Sequence, residues 1–247
     1  MHDQLLGTTQ PVLSISLEPG ESIAAGTGEF SWMTDSILMS AGADVAPAGT
    51  ALRRTLAESS LPLTAYTARE VAGTIAFASR LPGSIVAIEV SDASEYLVHR
   101  RGFLAGTPGI EVTKGYRQAY GGTVAGEEEF VLLRISGRGR AWVEMSGDIV
   151  RRDLPVGTSL RTHPWHIGMF SASVAVQVAE VQGIKGDDLG TEASRFAVLS
   201  GPGVVWLQSM SLLSALRPRL GPRPHAEALG PAFEGGAGPS PLHKPAY

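Results

Sequence analysis

Apolar side chains recur along this chain in short stretches with a period of two. They alternate with polar or small residues at 13, 15 and 17 and again at 174, 176 and 178, and near-continuous apolar runs cover 85–90 (IVAIEV) and 130–135 (FVLLRI). Alternation and Val/Ile-rich runs bounded by glycine and proline are typical of β-strands. Helix signals are weak and limited to 48–58 and 210–216. The pattern predicts an all-β protein.

Two marker patterns recur along the chain with a similar spacing. An opening pattern occurs at 19–24 (PGESIA), 82–86 (PGSIV) and 146–150 (SGDIV), so that its glycines are almost evenly spaced. A closing pattern begins at Gly73, Gly139 and Gly203, and its spacing is nearly the same. Chance agreement among glycine-rich turns is one explanation. The other is a pseudo-threefold repeat, in which β-modules at 11–80, 81–146 and 147–213 stack because each is too small to bury a good core alone.

The C-terminal segment differs from the rest. Residues 217–247 hold seven prolines and five glycines and no strand-like run. Such a composition cannot repay the entropy of ordering, so residues 214–247 are predicted to form a disordered tail. Binding of a partner in polyproline form is the alternative.

Charge and targeting signals narrow the class of protein. The chain has 24 acidic and 20 basic residues, and only three of the bases are lysines, Lys114, Lys185 and Lys244. This balance disfavours nucleic-acid binding, which relies on clustered bases. Arginine pairs at 53–54, 100–101 and 151–152 are expected to be solvated strand-end or loop charges. With no cysteine, no signal-peptide pattern and no apolar run of membrane-spanning length, a cytoplasmic protein is expected.

Few residues in the sequence form a pattern that indicates a catalytic or metal-binding site. Only His163 and His166 lie close together, and a cupin-like metal site would need a nearby Glu and a distant His, whereas the next such residues are Glu180 and His225. The acidic run 127–129 is expected in a solvated turn, and nucleophile-elbow and phosphate-loop motifs are absent. No catalytic, cofactor or metal residue is therefore assigned, and the chain is not expected to be an enzyme. The alternative is a pocket between modules that takes a small molecule or a metal, with the two histidines and the arginine pairs to be tested.

Aromatic residues occupy matching places in the closing patterns. Trp142 and Trp206 stand at the same position, and Phe77 lies one residue later in the first pattern. Repeated placement favours a packing role over a ligand cage.

Several motifs together carry a family resemblance. They are Gly201-Pro202-Gly203-Val204-Val205-Trp206-Leu207-Gln208-Ser209, Pro19-Gly20-Glu21, Gly126-Glu127 and Ser136-Gly137-Arg138-Gly139. With these motifs the chain resembles the altered inheritance of mitochondria protein 24 family, from about Leu13 to Leu213. Bacterial members of that family have unknown function.

The resemblance implies three tandem modules similar to the trp RNA-binding attenuation protein, each a short double-stranded β-helix, and a homotrimer whose nine modules form a ring. It carries no catalytic residues. Mitochondrial members are linked to inner-membrane organisation, but this chain shows no transit peptide, and it lacks the lysine-rich edges with which the attenuation protein holds RNA. The prediction is a non-enzymatic homotrimeric β-ring that acts as a cytoplasmic scaffold or binding protein. No nucleic-acid partner is expected, and peripheral association with a membrane stays open.

Overall fold

The predicted all-β class is confirmed by a computed structural model of the chain. The structure describes residues 1–42, 50–119, 129–180 and 195–210. Within these ranges the chain forms nineteen β-strands, one α-helix and one 3-10 turn.

The elements have the following bounds. The first ten strands are β1 (His2–Leu6), β2 (Val12–Leu17), β3 (Ser22–Gly26), β4 (Trp32–Met33), β5 (Ile37–Ala41), β6 (Leu63–Ala68), β7 (Gly73–Ala78), β8 (Gly83–Val90), β9 (Tyr96–His99) and β10 (Phe103–Gly106). The others are β11 (Ile110–Ala119), β12 (Glu129–Gly137), β13 (Gly139–Ser146), β14 (Ile149–Leu154), β15 (Ser159–Thr162), β16 (Ile167–Ser171), β17 (Ala175–Glu180), β18 (Arg195–Ser200) and β19 (Gly203–Gln208). The helix α1 covers Ala51–Glu58, and the 3-10 turn covers Pro164–His166.

The strands form four antiparallel sheets. Two have six strands, in the orders β5-β6-β3-β10-β13-β8 and β11-β12-β9-β16-β19-β14. A four-stranded sheet has the order β1-β2-β7-β4, and a three-stranded sheet has the order β15-β18-β17.

Local predictions agree with these elements. The alternating residues 13, 15 and 17 lie in β2 with their side chains fully buried, and the runs 85–90 and 130–135 lie in β8 and β12. The helix predicted at 48–58 is α1, whose N-terminus is capped by the Thr50 side chain accepting from the Arg53 N–H. The predictions for 211–216, the acidic residues 127 and 128 and the tail lie outside the described residues.

The marker patterns correspond to strands, with one correction. Gly73, Gly139 and Gly203 begin β7, β13 and β19, as the closing pattern predicts. The second and third opening patterns lead into β8 and β14, which pair with β13 and β19. The first leads into β3, whereas the strand that pairs with β7 is β2. The match of Pro19-Gly20 with the other two openings is therefore wrong, because that turn belongs to a different strand of the sheet system.

The N-terminal strand β1 was not predicted from the sequence. It extends the four-stranded sheet by pairing with β2, and its Asp3 is partly buried. The Asp3 carboxylate accepts a hydrogen bond from Trp142 Nε1 at 3.2 Å and pairs with the Arg140 guanidinium at 2.7 Å. Among the described residues, no helix has the length and apolar character needed to cross a membrane.

Candidate functional site

A cavity of about 140 Å³ lies where β7, β13 and β19 end. Three strand ends and the turn between β9 and β10 meet there, so residues far apart in the sequence share its wall. The polar residues that concern its chemistry are Arg80, His99, Arg101, Glu144 and Gln208.

One wall is a network of ion pairs centred on Arg80. Its guanidinium pairs with Glu144 and with Glu29, and Arg80 Nη2 donates to the Arg101 carbonyl oxygen at 2.7 Å. Burial raises the pKa of Glu29, against the attraction of the Arg80 charge. The positive charge of Arg80 is thus already compensated by two carboxylates.

Gln208 fixes the opposite wall. Its side chain is 3% exposed, accepts from the Ser146 N–H at 3.1 Å and donates to the Trp165 carbonyl oxygen at 2.9 Å. It therefore joins the end of β13 to the 3-10 turn.

His99 is the buried titratable group of the cavity. Burial, followed by the nearby charges of Arg100, Arg101 and Arg80, lowers the pKa of His99 from 6.5 to about 3, so the imidazole is neutral at pH 7. The Arg101 N–H donates to His99 Nδ1 at 3.4 Å, and the ring packs edge-on against Trp165 with centroids 5.6 Å apart. Because Nδ1 accepts, the proton of the neutral ring lies on Nε2. Among the described residues, Nε2 has no hydrogen-bond partner.

Arg101 also lines the cavity, although the residue is exposed to solvent. Its backbone anchors His99 and Arg80, but its guanidinium makes no hydrogen bond or ion pair with the described part of the chain. Burial and then the neighbouring charges of Arg100 and Arg80 lower the pKa of Arg101. The guanidinium still carries its charge at pH 7, because an arginine ordinarily titrates far above that pH.

The histidine pair noted in the sequence, His163 and His166, lies at the 3-10 turn and does not line the cavity. His163 precedes the 3-10 turn and His166 ends it, with their ring centroids 6.1 Å apart, and His166 Nδ1 lies 2.8 Å from the Gln208 carbonyl oxygen. In the described ranges, no group of three or more metal-ligating side chains is found.

The arginine pairs lie in three different settings. Arg100 and Arg101 occupy a turn, as expected. The pair 53–54 lies on α1, and the pair 151–152 lies inside β14, so the expectation of strand-end or loop positions is wrong for those two. Arg151 also lies over the Trp206 ring, 5.8 Å from its centroid.

The repeated aromatic residues have packing roles. Trp142 is 1% exposed and Phe77 is fully buried, both in the core cluster that also holds Leu13 and Ile75. Trp206 is half-buried and packs edge-on against Tyr96.

Strands β4 and β15 each lie at the edge of one of the smaller sheets and carry exposed side chains. β4 carries Trp32, which is 51% exposed, and lies at one edge of the four-stranded sheet. β15 lies at one edge of the three-stranded sheet, with Ser159 and Arg161 exposed. Edge strands present unpaired backbone N–H and C=O groups that pair readily with another strand.

Sequence reasoning missed most of the cavity. In the sequence, the pair 100–101 is visible only as an arginine pair, and Gln208 lies in the motif 201–209 without any sign of its contacts. Arg80, His99 and Glu144 belong to no motif. Their closeness depends on which strand ends meet, and no spacing along the chain reports that.

Comparisons with known proteins agree with the sequence resemblance. A family model described as Mitochondrial biogenesis AIM24 matches residues 4–210. A crystal structure of protein SPYM3_0169 from Streptococcus pyogenes is similar in fold, with a TM-score of 0.67 and 20% sequence identity, and the match covers 87% of this chain and 95% of that one. A search of curated proteins found no match. The family model covers most of the chain, and the chain therefore belongs to the Mitochondrial biogenesis AIM24 family.

Proposed function

We propose that this chain is a non-enzymatic scaffold or binding protein whose working form is a closed homotrimeric ring of β-modules. The observation that carries the proposal is the strand order. Adding six to each strand number of the sheet β5-β6-β3-β10-β13-β8 produces the order of the second six-stranded sheet, β11-β12-β9-β16-β19-β14. The regularity supports three equivalent six-strand units, β2–β7, β8–β13 and β14–β19, each taken to be a short double-stranded β-helix.

The same rule supports a specific role for the two smaller sheets. Strands β2-β7-β4 correspond to β8-β13-β10, and strands β17-β18-β15 correspond to β11-β12-β9. Each smaller sheet then equals half of a six-stranded one. Within the chain, the two halves of each six-stranded sheet are joined by one strand pair, which is β3 with β10 in the first sheet and β9 with β16 in the second. The corresponding join for the smaller sheets is β4 of one copy with β15 of the next.

The internal joins also supply a register. In the join β9·β16, Met169 pairs with Val98 and Phe170 with Leu97. If β4 of one copy pairs with β15 of another in this register, the contact is formed by the residues equivalent to Val98, Leu97, Met169 and Phe170.

The equivalent positions on β15 follow from its neighbour in the sheet. Leu97 pairs with Arg134 in β12, and Arg161 pairs with Val198 in β18. Arg134 and Val198 stand equally far before the glycine that begins β13 or β19. Arg161 is therefore the counterpart of Leu97, and the next residue, Thr162, follows in the same register.

The same correspondence identifies the partners on β4. Trp32 and Met33 pair with β7 at the places where Met169 and Phe170 pair with β19. We therefore expect Trp32 opposite Thr162, and Met33 opposite Arg161, of a second copy.

Exposure supports this pairing. Ala105 and Met169 are both 0% exposed, whereas Trp32, in the equivalent place, is 51% exposed. A large aromatic side chain at an unpaired edge favours association. Because the contact joins two different edges, it is head-to-tail, and such contacts close into rings when the rotation allows. Three copies would close the ring of nine modules that the family resemblance implies.

Directed crosslinking tests the ring. The chain has no cysteine, so the double variant Met33→Cys/Arg161→Cys places two thiols where an antiparallel pair allows a disulfide. We expect oxidation to produce covalent trimers, and light scattering of the unmodified protein to measure three times the 25.9 kDa chain mass.

A matched control uses Met33→Cys/Val156→Cys, because Val156 is 79% exposed and lies outside the proposed contact. A monomer mass in light scattering, or equal crosslinking of the control, would contradict the ring. The sequence leaves peripheral membrane association open beside the expected cytoplasmic location, and sedimentation with lipid vesicles tests whether the protein binds a membrane surface.

A further inference from the structure

We propose that the outer edge of β8, with the pocket beside it, binds an extended segment of a second polypeptide in the way that β1 binds β2. The segment adds a strand to β8 and directs an uncharged hydrogen-bond acceptor toward Trp206, with an aliphatic side chain two residues later. This goes beyond the ring, since the joins proposed for the ring involve β4 and β15 and do not involve β8.

Strands β2 and β8 occupy equivalent places in the fold. Their last residues, Leu17 and Val90, each pair with the glycine that begins the neighbouring strand, β7 or β13. Counting back from these two residues, Ser14 of β2 corresponds to Ala87 of β8. The outer edge of β2 is covered by β1, whereas β8 is the last strand of its sheet within the described part of the chain.

The backbone of Ala87 points away from the sheet. Ala87 pairs with Trp142 in β13. Two residues after Trp142, the Glu144 N–H donates to the Gly102 carbonyl oxygen at 2.8 Å, on the β10 side of β13. Backbone groups alternate in direction along a strand, so Trp142 also points toward β10 and its partner Ala87 points away from β13. Ala87 is exposed and therefore presents its N–H and C=O to an incoming strand.

The place beside β8 also contains an indole that corresponds to the one bound by β1. Asp3, opposite Ile15 of β2, accepts a hydrogen bond from Trp142 Nε1. Trp206 is the counterpart of Trp142, since each is the third residue after the glycine that begins its strand. A pocket of about 340 Å³ lies beside Trp206 and is lined by residues 92–95, which follow β8. Within the described ranges, no residue accepts a hydrogen bond from Trp206 Nε1.

Side-chain burial differs between the covered strand and the uncovered one. Leu13, opposite Leu5 of β1, is fully buried, whereas Val86 at the equivalent place of β8 is partly exposed. Directly opposite side chains on an antiparallel pair share a face and lie in contact. An aliphatic side chain on the added strand would therefore cover Val86 and bury more apolar surface.

The third equivalent strand, β14, lacks this apolar face. Leu154 pairs with the glycine that begins β19, so Arg152 takes the place that Ile15 has in β2 and Ile88 has in β8. Arg152 is exposed, whereas both isoleucines are buried. A charge at this position interrupts the surface on which the added strand would pack, so one site per chain is expected.

The charges beside Trp206 favour an uncharged acceptor. Asp3 pairs with Arg140, one residue after the glycine that begins β13, at 2.7 Å. The same place in β19 is Val204, and the pocket is lined by Asp92 and Glu95, both of which already pair with arginines. A carboxylate on the added strand would find no counterion there, whereas the amide oxygen of an asparagine accepts from the indole without one.

Peptide binding to the full chain tests the site. The probe is the hexapeptide of residues 1–6 with Asp3→Asn and with fluorescein at its carboxyl end, and fluorescence anisotropy measures its affinity. We expect one peptide to bind per chain with a Kd below about 1 mM, at least about threefold tighter than the peptide with the natural Asp3. A peptide of the same composition in scrambled order should not bind.

Variants of the protein locate the bound peptide. Ala87→Pro removes the N–H that bonds the added strand and leaves the pairing with β13 intact, so it should abolish binding. Ala87→Ser retains the N–H and is the matched control, with a Kd that changes less than about twofold. Trp206→Phe removes the indole donor and should weaken binding at least about fivefold. Circular dichroism checks that the variants fold, and Trp206→Phe keeps the test valid if Ala87→Pro does not fold.

The proposal is overturned by no binding at about 1 mM peptide, by equal binding of the scrambled peptide, or by unchanged affinity in Ala87→Pro. Unchanged affinity in Trp206→Phe, or tighter binding of the peptide with the natural Asp3, would overturn the assignment of the acceptor. These measurements are independent of the crosslinking that tests the ring, because the edge of β8 and its pocket lie within one chain.

Discussion

His99 should make the stability of this protein fall as the pH drops below neutral. The pKa of the imidazole is about 3 in the folded chain and about 6.5 in the unfolded chain. Between these values the unfolded chain binds a proton at His99 that the folded chain does not. The free energy of unfolding therefore falls as the pH decreases from 6.5 toward 3.

The size of the effect follows from the two pKa values. From pH 7 to pH 5, the proton taken up by His99 in the unfolded chain lowers the free energy of unfolding by about 2 kcal/mol. The side chain is 3% exposed, so solvent screening does not reduce this figure substantially. Nearby positive charges, Arg100, Arg101 and Arg80, act in the same direction as burial.

Urea unfolding at pH 7, 6 and 5 measures this effect in the natural chain and in His99→Gln. The variant loses the titrating group, while the remaining acids and histidines are shared and cancel in the comparison. We expect the natural chain to lose about 2 kcal/mol more than the variant between pH 7 and pH 5. Protein concentration is held equal, because self-association shifts apparent stability. The same pH dependence in both proteins would refute the reasoning.

Two further substitutions have matched controls, and both are measured by urea unfolding at pH 7. Gly137→Ala should destabilise by about 3 kcal/mol or more, because a Cβ there would overlap a backbone carbonyl oxygen at φ +92°. Gly157 has a similar φ of +79°, but a Cβ added there would have no atom within 4 Å, so Gly157→Ala should cost about 1 kcal/mol of stability. Equal losses of stability in the two variants would contradict the steric argument. Asp3→Ala should cost about 1–3 kcal/mol, because the Trp142 indole N–H loses its acceptor. Asp92→Ala breaks an exposed ion pair and should leave stability unchanged, so a loss as large as that of Asp3→Ala would contradict this contrast.

The local hydrophobic pattern predicted individual strands correctly. Leu13, Ile15 and Leu17 alternate in the sequence and are all fully buried, because side chains in a strand point to opposite faces in turn. The weak helix at 48–58 also formed, since Thr50 caps it and Leu56 contributes to the core. These properties depend on near neighbours in the chain.

The sequence did not predict which strands pair with each other. Pro19-Gly20 resembles the turns that precede β8 and β14, yet it leads into a strand of another sheet. A turn specifies that the chain reverses, but the partner of the following strand depends on residues far along the chain. The strand β1 escaped prediction for the same reason, since it exists as part of a sheet with β2.

The sequence by itself determined the all-β class, the positions of most strands and the family resemblance, because hydrophobic periodicity and short motifs are local properties. Tertiary structure alone decided the cavity. It brought Arg80, His99, Arg101, Glu144 and Gln208 together, although the first follows β7 and the last ends β19. It also decided that His99 is buried and neutral at pH 7, whereas the conspicuous pair His163 and His166 is only partly buried. Burial of a histidine and closeness of strand ends are set by packing between distant segments, and spacing along the chain carries no record of either.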